Sequence, residues 1–238
     1  MEENRCRGRL DPPFNLLDTS VLQDNRYWDV DVRYAKAGLE EIHIRIAVAN
    51  RGSEAATLHL LPQLWFRNTW AWGDEEKALA ELRGEPVSPD QKAIKPALRA
   101  ITAPAGATWA VRTEHPTLGA YHLYGRQSAE PLYTENEHNV QRLWGLTNAS
   151  PYVKDSFHRR VVNGEQDAVN PAREGTKFAA WHVLTVASGQ QAEIELVLSA
   201  APLAQPFAVS PKQIGSTASC YPKRPTKTDA SCAKPRRA

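Results

Sequence analysis

Cysteine is scarce in this chain, and what there is sits badly for chemistry. Cys6, Cys220 and Cys232 lie at the two ends, and none has the CxxC spacing of a zinc or redox site. Histidine is no better placed. The seven residues are scattered, with no pair and no His and carboxylate cluster at metal-ligand spacing, so neither a metal nor a cofactor is implied. No apolar run reaches the roughly 18 residues of a membrane span. Met1 is followed by Glu2, Glu3 and Asn4 rather than by a basic and then apolar leader. These absences argue against a membrane partner and point to the cytoplasm. Without a secretory signal, the glycosylation sequon Asn148-Ala149-Ser150 carries little meaning. An internal repeat and a convincing amphipathic helix are missing as well.

The body of the chain also lacks a basic stripe. The formal net charge of +2 conceals an asymmetry across Ala200. Residues 201–238 hold seven Lys or Arg and one acid, Asp229, which leaves 22 basic residues (29 − 7) against 26 acidic ones (27 − 1) before them. The body is therefore mildly acidic, at −4 (22 − 26), and the tail is +6 (7 − 1). An acidic body argues against nucleic acid as the partner of the folded part. The tail has six prolines and only Phe207 and Tyr221 as aromatics. Such a segment buries too little apolar surface to offset roughly 1–2 kcal/mol per residue of backbone ordering. Residues 200–238 are thus expected to be a disordered, dispensable, basic and Pro-rich tail.

What the sequence does contain is strand patterning. At 238 residues it can bury a substantial core. Residues 1–25, with Asp11-Pro12-Pro13, have no sustained period and read as irregular. From Tyr27 to Tyr34 the apolar Trp28, Val30, Val32 and Tyr34 alternate with Asp29, Asp31 and Arg33, which predicts a half-buried strand. Ile42, Ile44, Ile46 and Val48 alternate likewise with His43, Arg45 and Ala47, which sets His43 on a solvent face. Thr57–Phe66 reads as a third strand, with Pro62 marking an edge or a bulge. Residues 74–100 carry Gly84, Pro86, Pro89 and Pro96 and read as an excursion with at most a short helix over 90–94. Asp74, Glu75 and Glu76 form a solvated turn in this reading.

Further strands are predicted at 107–112, 120–124, 131–134, 178–186 and 193–198. The last two flank Ala187-Ser188-Gly189-Gln190, a hairpin signal. About eight strands separated by turns indicate an all-β, antiparallel β-sandwich over residues 26–199.

The stretch Leu60–Gly73, LLPQLWFRNTWAWG, begins as an apolar strand and ends in a polar aromatic cluster. It would deliver Arg67, Asn68, Trp70 and Trp72 to a surface, with the two indoles on one face of an extended segment. Alternatively both indoles belong to the core. Between Leu132 and Asp155, Glu135, Glu137 and Asn139 stand at alternate positions in a stretch bordered by aromatics. Carboxylates and amides beside aromatic platforms suit carbohydrate. The same groups equally suit a solvated loop whose side chains cap neighbouring backbone. Glu135 and Glu137 on one strand face could not be the opposed carboxylates of an inverting hydrolase, which need roughly 6–10 Å between them across the scissile bond. The combined substrate-facing or barrel-facing candidates are Arg67, Asn68, Trp70, Trp72, Glu135, Asn136, Glu137, Asn139, Lys154 and Asp155, and the two stretches are expected to lie side by side.

The runs LLDTSVLQDNRYWDVDVRYAKA (16–37), LHLLPQLWFRNTWAWG (58–73), LYTENEHN (132–139), NASPYVKDSFH (148–158) and DAVNPAREGTKFAA (167–180) carry a family resemblance. They resemble the N-terminal region of bacterial glucosidase-type proteins related to glycoside hydrolase family 63, the mannosyl-oligosaccharide glucosidase and mannosylglycerate hydrolase-like group. The resemblance spans roughly residues 3–199. It implies a β-sandwich preceding an (α/α)6 barrel, with the barrel supplying the carboxylates that hydrolyse an α-glycosidic bond with inversion. It also implies an oligosaccharide or glycoside as substrate of the parent enzyme and, if the barrel is encoded separately, that barrel as a partner.

The sequence departs from the family pattern in three places. Early strands are not found, the match stops near Ser199, and Arg159-Arg160 stands where an acidic and aromatic pair is expected. On this reading the chain is a fragment without a catalytic residue, inactive by itself. The competing reading is a stand-alone carbohydrate-binding or protein-interaction module.

Overall fold

The computed structural model describes residues 5–20, 26–70, 83–84 and 95–208. Within them the chain is an all-β, antiparallel sandwich of two sheets. The larger sheet has seven strands: β1 (Trp28–Lys36), β2 (Glu41–Asn50), β5 (Ala97–Ile101), β6 (Trp109–His115), β7 (Gly119–Gly125), β9 (Glu174–Gly175) and β11 (Gln191–Ser199). Their order across the sheet is β1-β2-β11-β7-β6-β5-β9. In the smaller sheet β3 (Ala56–Leu60) and β4 (Gln63–Trp65) lie along one side of β10 (Lys177–Val186), and β8 (Glu130–Thr134) lies along the other. Two short helices follow β8: α1 (Val140–Trp144) and α2 (Ser156–Val162).

The period-two pattern builds the core directly, because alternate side chains of each strand point between the sheets. The larger sheet contributes Ile46, Val48, Leu98, Trp109, Val111, Leu123, Ile194 and Leu196, and the smaller one Tyr133, Phe178 and Ala180. Phe178 packs tilted against both Trp109 and Tyr133, with ring centroids 5.4 and 5.1 Å away. Gly125 is required beside Trp109: a Cβ there would come within 2.0 Å of the indole ring. Outside the smaller sheet, α2 covers a second cluster of Leu132, Phe157 and Ala179.

Two expectations fail together on the outside of the larger sheet. His43 is buried, at 1% exposure, rather than solvent-facing. It stands opposite Val197 in the ladder, and Val197, Ala110 and Tyr124 form a third cluster capped by Leu203 and Phe207. The amide of Leu203 donates to Tyr124 Oη at 2.9 Å, and Arg126 lies over the Phe207 ring. The disordered tail expected from residue 200 is therefore ordered at least to residue 208. Leu203 and Phe207 supply the apolar anchors that average composition hides. The rest of the expected tail lies outside the described residues.

β1 is not the half-buried strand its alternation predicts. Val30, Val32 and Tyr34 are 52, 44 and 69% exposed, because β1 edges the larger sheet and only Trp28 joins the shared core. Between β10 and β11 the predicted turn forms, with Gln190 N–H donating to Ala187 O and Gly189 at φ 69°. The flanking strands do not pair, since the turn passes the chain from one sheet to the other. Asn50 holds that crossing: its amide donates to Val186 O at 2.9 Å and to Glu54 O at 2.8 Å. Pro62 divides the third predicted strand into β3 and β4 without a bulge. Both halves keep one register on β10, and Ala180 N–H reaches Pro62 O. The end of the expected excursion, residues 97–100, belongs to strand β5, while the solvated turn at 74–76 and the helix at 90–94 lie outside the described residues.

Candidate functional site

The two polar stretches meet at one end of the smaller sheet, where β4 and β8 both run out beside the start of β10. They are joined twice by asparagine side chains reaching backbone carbonyls: Asn136 Nδ2 donates to Phe66 O at 3.1 Å, and Asn68 Nδ2 donates to Asn136 O. Trp70 then closes the junction, its indole N–H donating to Glu137 Oε1 at 3.0 Å. Trp70 is half-buried against this neighbour, so it is neither a core residue nor a free platform. Trp72 lies outside the described residues.

Lys95 was not among the residues the sequence singles out, yet it organises the carboxylates. Its ammonium is 2.9 Å from Glu135 Oε2 and 2.8 Å from Glu137 Oε1. Burial alone would lower the Lys95 pKa, but the hydrogen bonds and charges of the two glutamates outweigh it and hold the ammonium charged. Thr176 Oγ1 also donates to Glu135 Oε2 at 2.7 Å and accepts the amide of Asn136 at 2.7 Å. Glu135 and Glu137 thus converge on one cation. They are held as a salt-bridged pair, an arrangement unlike an acid and a base facing each other across a sugar.

Farther along, Asn139 is the cap of α1. Its Oδ1 accepts the amide of Arg142 at 3.0 Å and a side-chain N–H of Asn148, also at 3.0 Å. Its Nδ2 donates to Asp155 at 3.2 Å. Gly145, at φ 74°, ends the helix in the left-handed conformation. Lys154 contributes backbone, its N–H donating to Glu137 O at 3.1 Å and its carbonyl accepting from Lys177 Nζ at 3.4 Å. Lys177 also lies 4.8 Å from the Phe157 ring centroid. Burial first, and then the charge of Lys154, lower its pKa. The departure at Arg159-Arg160 has a structural use. Arg160 is buried over the Trp181 ring and makes a two-pronged contact with Glu130 at 2.9 and 3.0 Å, fixing α2 to β8.

Beside this junction an open cleft of about 510 Å³ is lined by Phe66, Arg67, Thr69, Trp70, His115 and Leu118 among others. His115 stacks obliquely on Phe66 at 4.6 Å, and its Nδ1 accepts the amides of Thr117 and Leu118 at 3.2 and 3.3 Å. Of the sequence-derived candidates, Arg67 and Trp70 border the cleft. Asn68, Asn136, Asn139 and Asp155 make hydrogen bonds that fasten loops to one another. Lys95, Thr176 and His115 escaped sequence reasoning because each is brought in from a segment far along the chain: Lys95 from the lead-in to β5, Thr176 from the bend between β9 and β10, and His115 from the end of β6. Among the described residues, no group of three or more His, Cys, Asp or Glu could hold a metal ion. No described helix is long and apolar enough to cross a membrane.

No family model matches the chain. It is 30% identical over 210 residues to an uncharacterized protein of Saccharomyces cerevisiae, YMR196W, in an alignment that takes in 80% of this chain and 19% of the yeast protein. The chain therefore spans about a fifth of the length of that relative.

Proposed function

We propose that this chain is the β-sandwich module of a glycoside hydrolase related to family 63, without hydrolytic activity by itself. Its end formed by residues 66–70 and 134–155 would face the catalytic barrel and its substrate. One observation carries the non-catalytic part of the reading: Glu135 and Glu137, the paired carboxylates of that end, are both bound to one ammonium, that of Lys95. Inversion needs an acid and a base projecting from opposite sides of the sugar. The interlocked loops favour a rigid docking face, since nearly every polar side chain there braces another segment. The similarity to a small part of a much longer protein is consistent with a module.

The purified chain is expected to turn over α-glucosides only at background rate. Hydrolysis above background that disappears in Glu135→Gln or Asp155→Asn would overturn the reading and locate chemistry in the sandwich.

A second reading, carbohydrate binding without catalysis, is favoured by the open cleft beside Trp70. Calorimetric titration with gluco-oligosaccharides separates the two: saturable binding abolished in Trp70→Ala supports a binding module, and no binding supports a docking face.

A further inference from the structure

The least explained surface of the molecule is the outer edge of β1. Among the described residues no strand pairs with it. The amide of Arg51 donates to Tyr27 O, and that of Ala37 to Glu41 O. In an antiparallel ladder this turns the backbone groups of the odd-numbered residues towards β2. The N–H and C=O groups of Trp28, Val30, Val32, Tyr34 and Lys36 consequently point away from the sheet. The side chains of these same even-numbered residues lie on the core side, where Val30, Val32 and Tyr34 are 52, 44 and 69% exposed. A nine-residue strand with free hydrogen-bonding groups and an uncovered apolar row is a template for strand addition.

The charges on the opposite face identify the strand that fits. Asp31 and Arg33 are exposed and bonded to each other at 2.7 Å. We propose that β1 pairs antiparallel with β1 of a second copy of this chain, about a two-fold axis at Val32, to form a homodimer with one continuous sheet. In that register Val32 faces Val32, Val30 faces Tyr34 and Trp28 faces Lys36 of the second copy. All of these have outward-pointing backbone groups, so the ladder bonds form between them. Asp31 then stands opposite Arg33 of the second copy, twice, at the closer non-hydrogen-bonded positions. A slip of two residues in either direction, the nearest that keeps the outward-pointing groups paired with each other, sets Asp31 against Asp31, or Arg33 against Arg33. The charge pattern thus favours the register centred on Val32, the one of the three that sets no like charges opposite each other. A β-branched residue opposite an aromatic on the apolar face adds a favourable cross-strand pair, and an isologous contact closes on itself rather than propagating.

Sedimentation equilibrium of the full chain over roughly 1–100 µM tests this directly. The expected result is a monomer–dimer equilibrium. Asp31→Lys and Arg33→Asp, each alone, should weaken dimerisation at least tenfold while leaving far-UV circular dichroism and the melting temperature of the dilute monomer unchanged. An equimolar mixture of the two variants should restore the dimer, since each then supplies the charges the other lacks. A chain that stays monomeric throughout the range would overturn the proposal. So would a dimer indifferent to both substitutions, or a mixture that fails to recover.

Discussion

If the 66–70 and 134–155 end is a braced platform, its central ion cluster must be energetically coupled, and Lys95 with Glu137 provides the measurement. The Lys95 ammonium is 2.8 Å from Glu137 Oε1 and 2.9 Å from Glu135 Oε2, with both glutamate side chains 18% exposed and Lys95 itself 42% exposed. A hydrogen bond to a charged group contributes about 1.5–3 kcal/mol, and the solvent reaching Lys95 moves each contact to the lower end of that range or below it. Lys95→Met, which keeps most of the stem and removes the charge, is expected to destabilise by about 2 kcal/mol because two carboxylates lose their shared cation. Glu137→Gln preserves an acceptor for the Trp70 indole and removes one of those carboxylates, for about 1 kcal/mol. Made together, the substitutions should cost about 2 rather than 3 kcal/mol. The difference of roughly 1 kcal/mol exceeds the 0.3–0.5 kcal/mol within which independent sites add.

Urea unfolding followed by tryptophan fluorescence gives all four corners of the cycle, provided the dependence on denaturant stays parallel. Singles that add within about 0.3 kcal/mol would refute the coupling, and with it the picture of a platform braced through Lys95.

Two further predictions concern the core. Gly125→Ala should lower stability by about 2–3 kcal/mol, the upper part of the roughly 1–3 kcal/mol range of overpacked cores. The new methyl group would sit 2.0 Å from the Trp109 ring, which is held by Phe178 and by its own N–H bond to Gln127 O. Thermal melts within about 1 °C of the parent, less than the shift 0.5 kcal/mol produces in a chain this size, would refute that close approach. His182 is buried on β10, and burial lowers its pKa below the ordinary 6.5. The unfolded chain therefore takes up its proton first. The contribution of neutral His182 is present above pH 6.5 and is lost as the pH falls through that value, with a limiting slope of about 1.4 kcal/mol per pH unit. Melting temperatures between pH 7.5 and 5 should show this loss and His182→Leu should reduce it; an unchanged slope in the variant would assign the acid sensitivity elsewhere.

Local pattern was enough to specify the sandwich. Alternation at Ile42, Ile44, Ile46 and Val48, and again at Ile194, Leu196 and Leu198, is a property of neighbours in sequence, and it dictates which face is apolar whatever the strand pairs with. Turn chemistry at Ser188-Gly189 is equally local, and the turn formed. Which strand lies beside which is not local, and there the sequence was silent or misleading: the turn at Gly189 joins two sheets instead of two hairpin strands. The same limit explains His43 and Val30. One alternates as a solvent-face residue and is buried. The other alternates as a core residue and is exposed, because the cover on each face comes from elements far along the chain or does not extend so far.

The candidate site divides in the same way. Its aromatic and amide content could be read from Arg67 to Trp70 and from Glu135 to Asn139. The use made of those side chains could not, since Lys95 reaches both glutamates, and Thr176 reaches Glu135, from segments far away in the sequence. Only the tertiary structure brought that cation to those carboxylates, and electrostatic interaction at under 3 Å depends on position in space and not on separation along the chain.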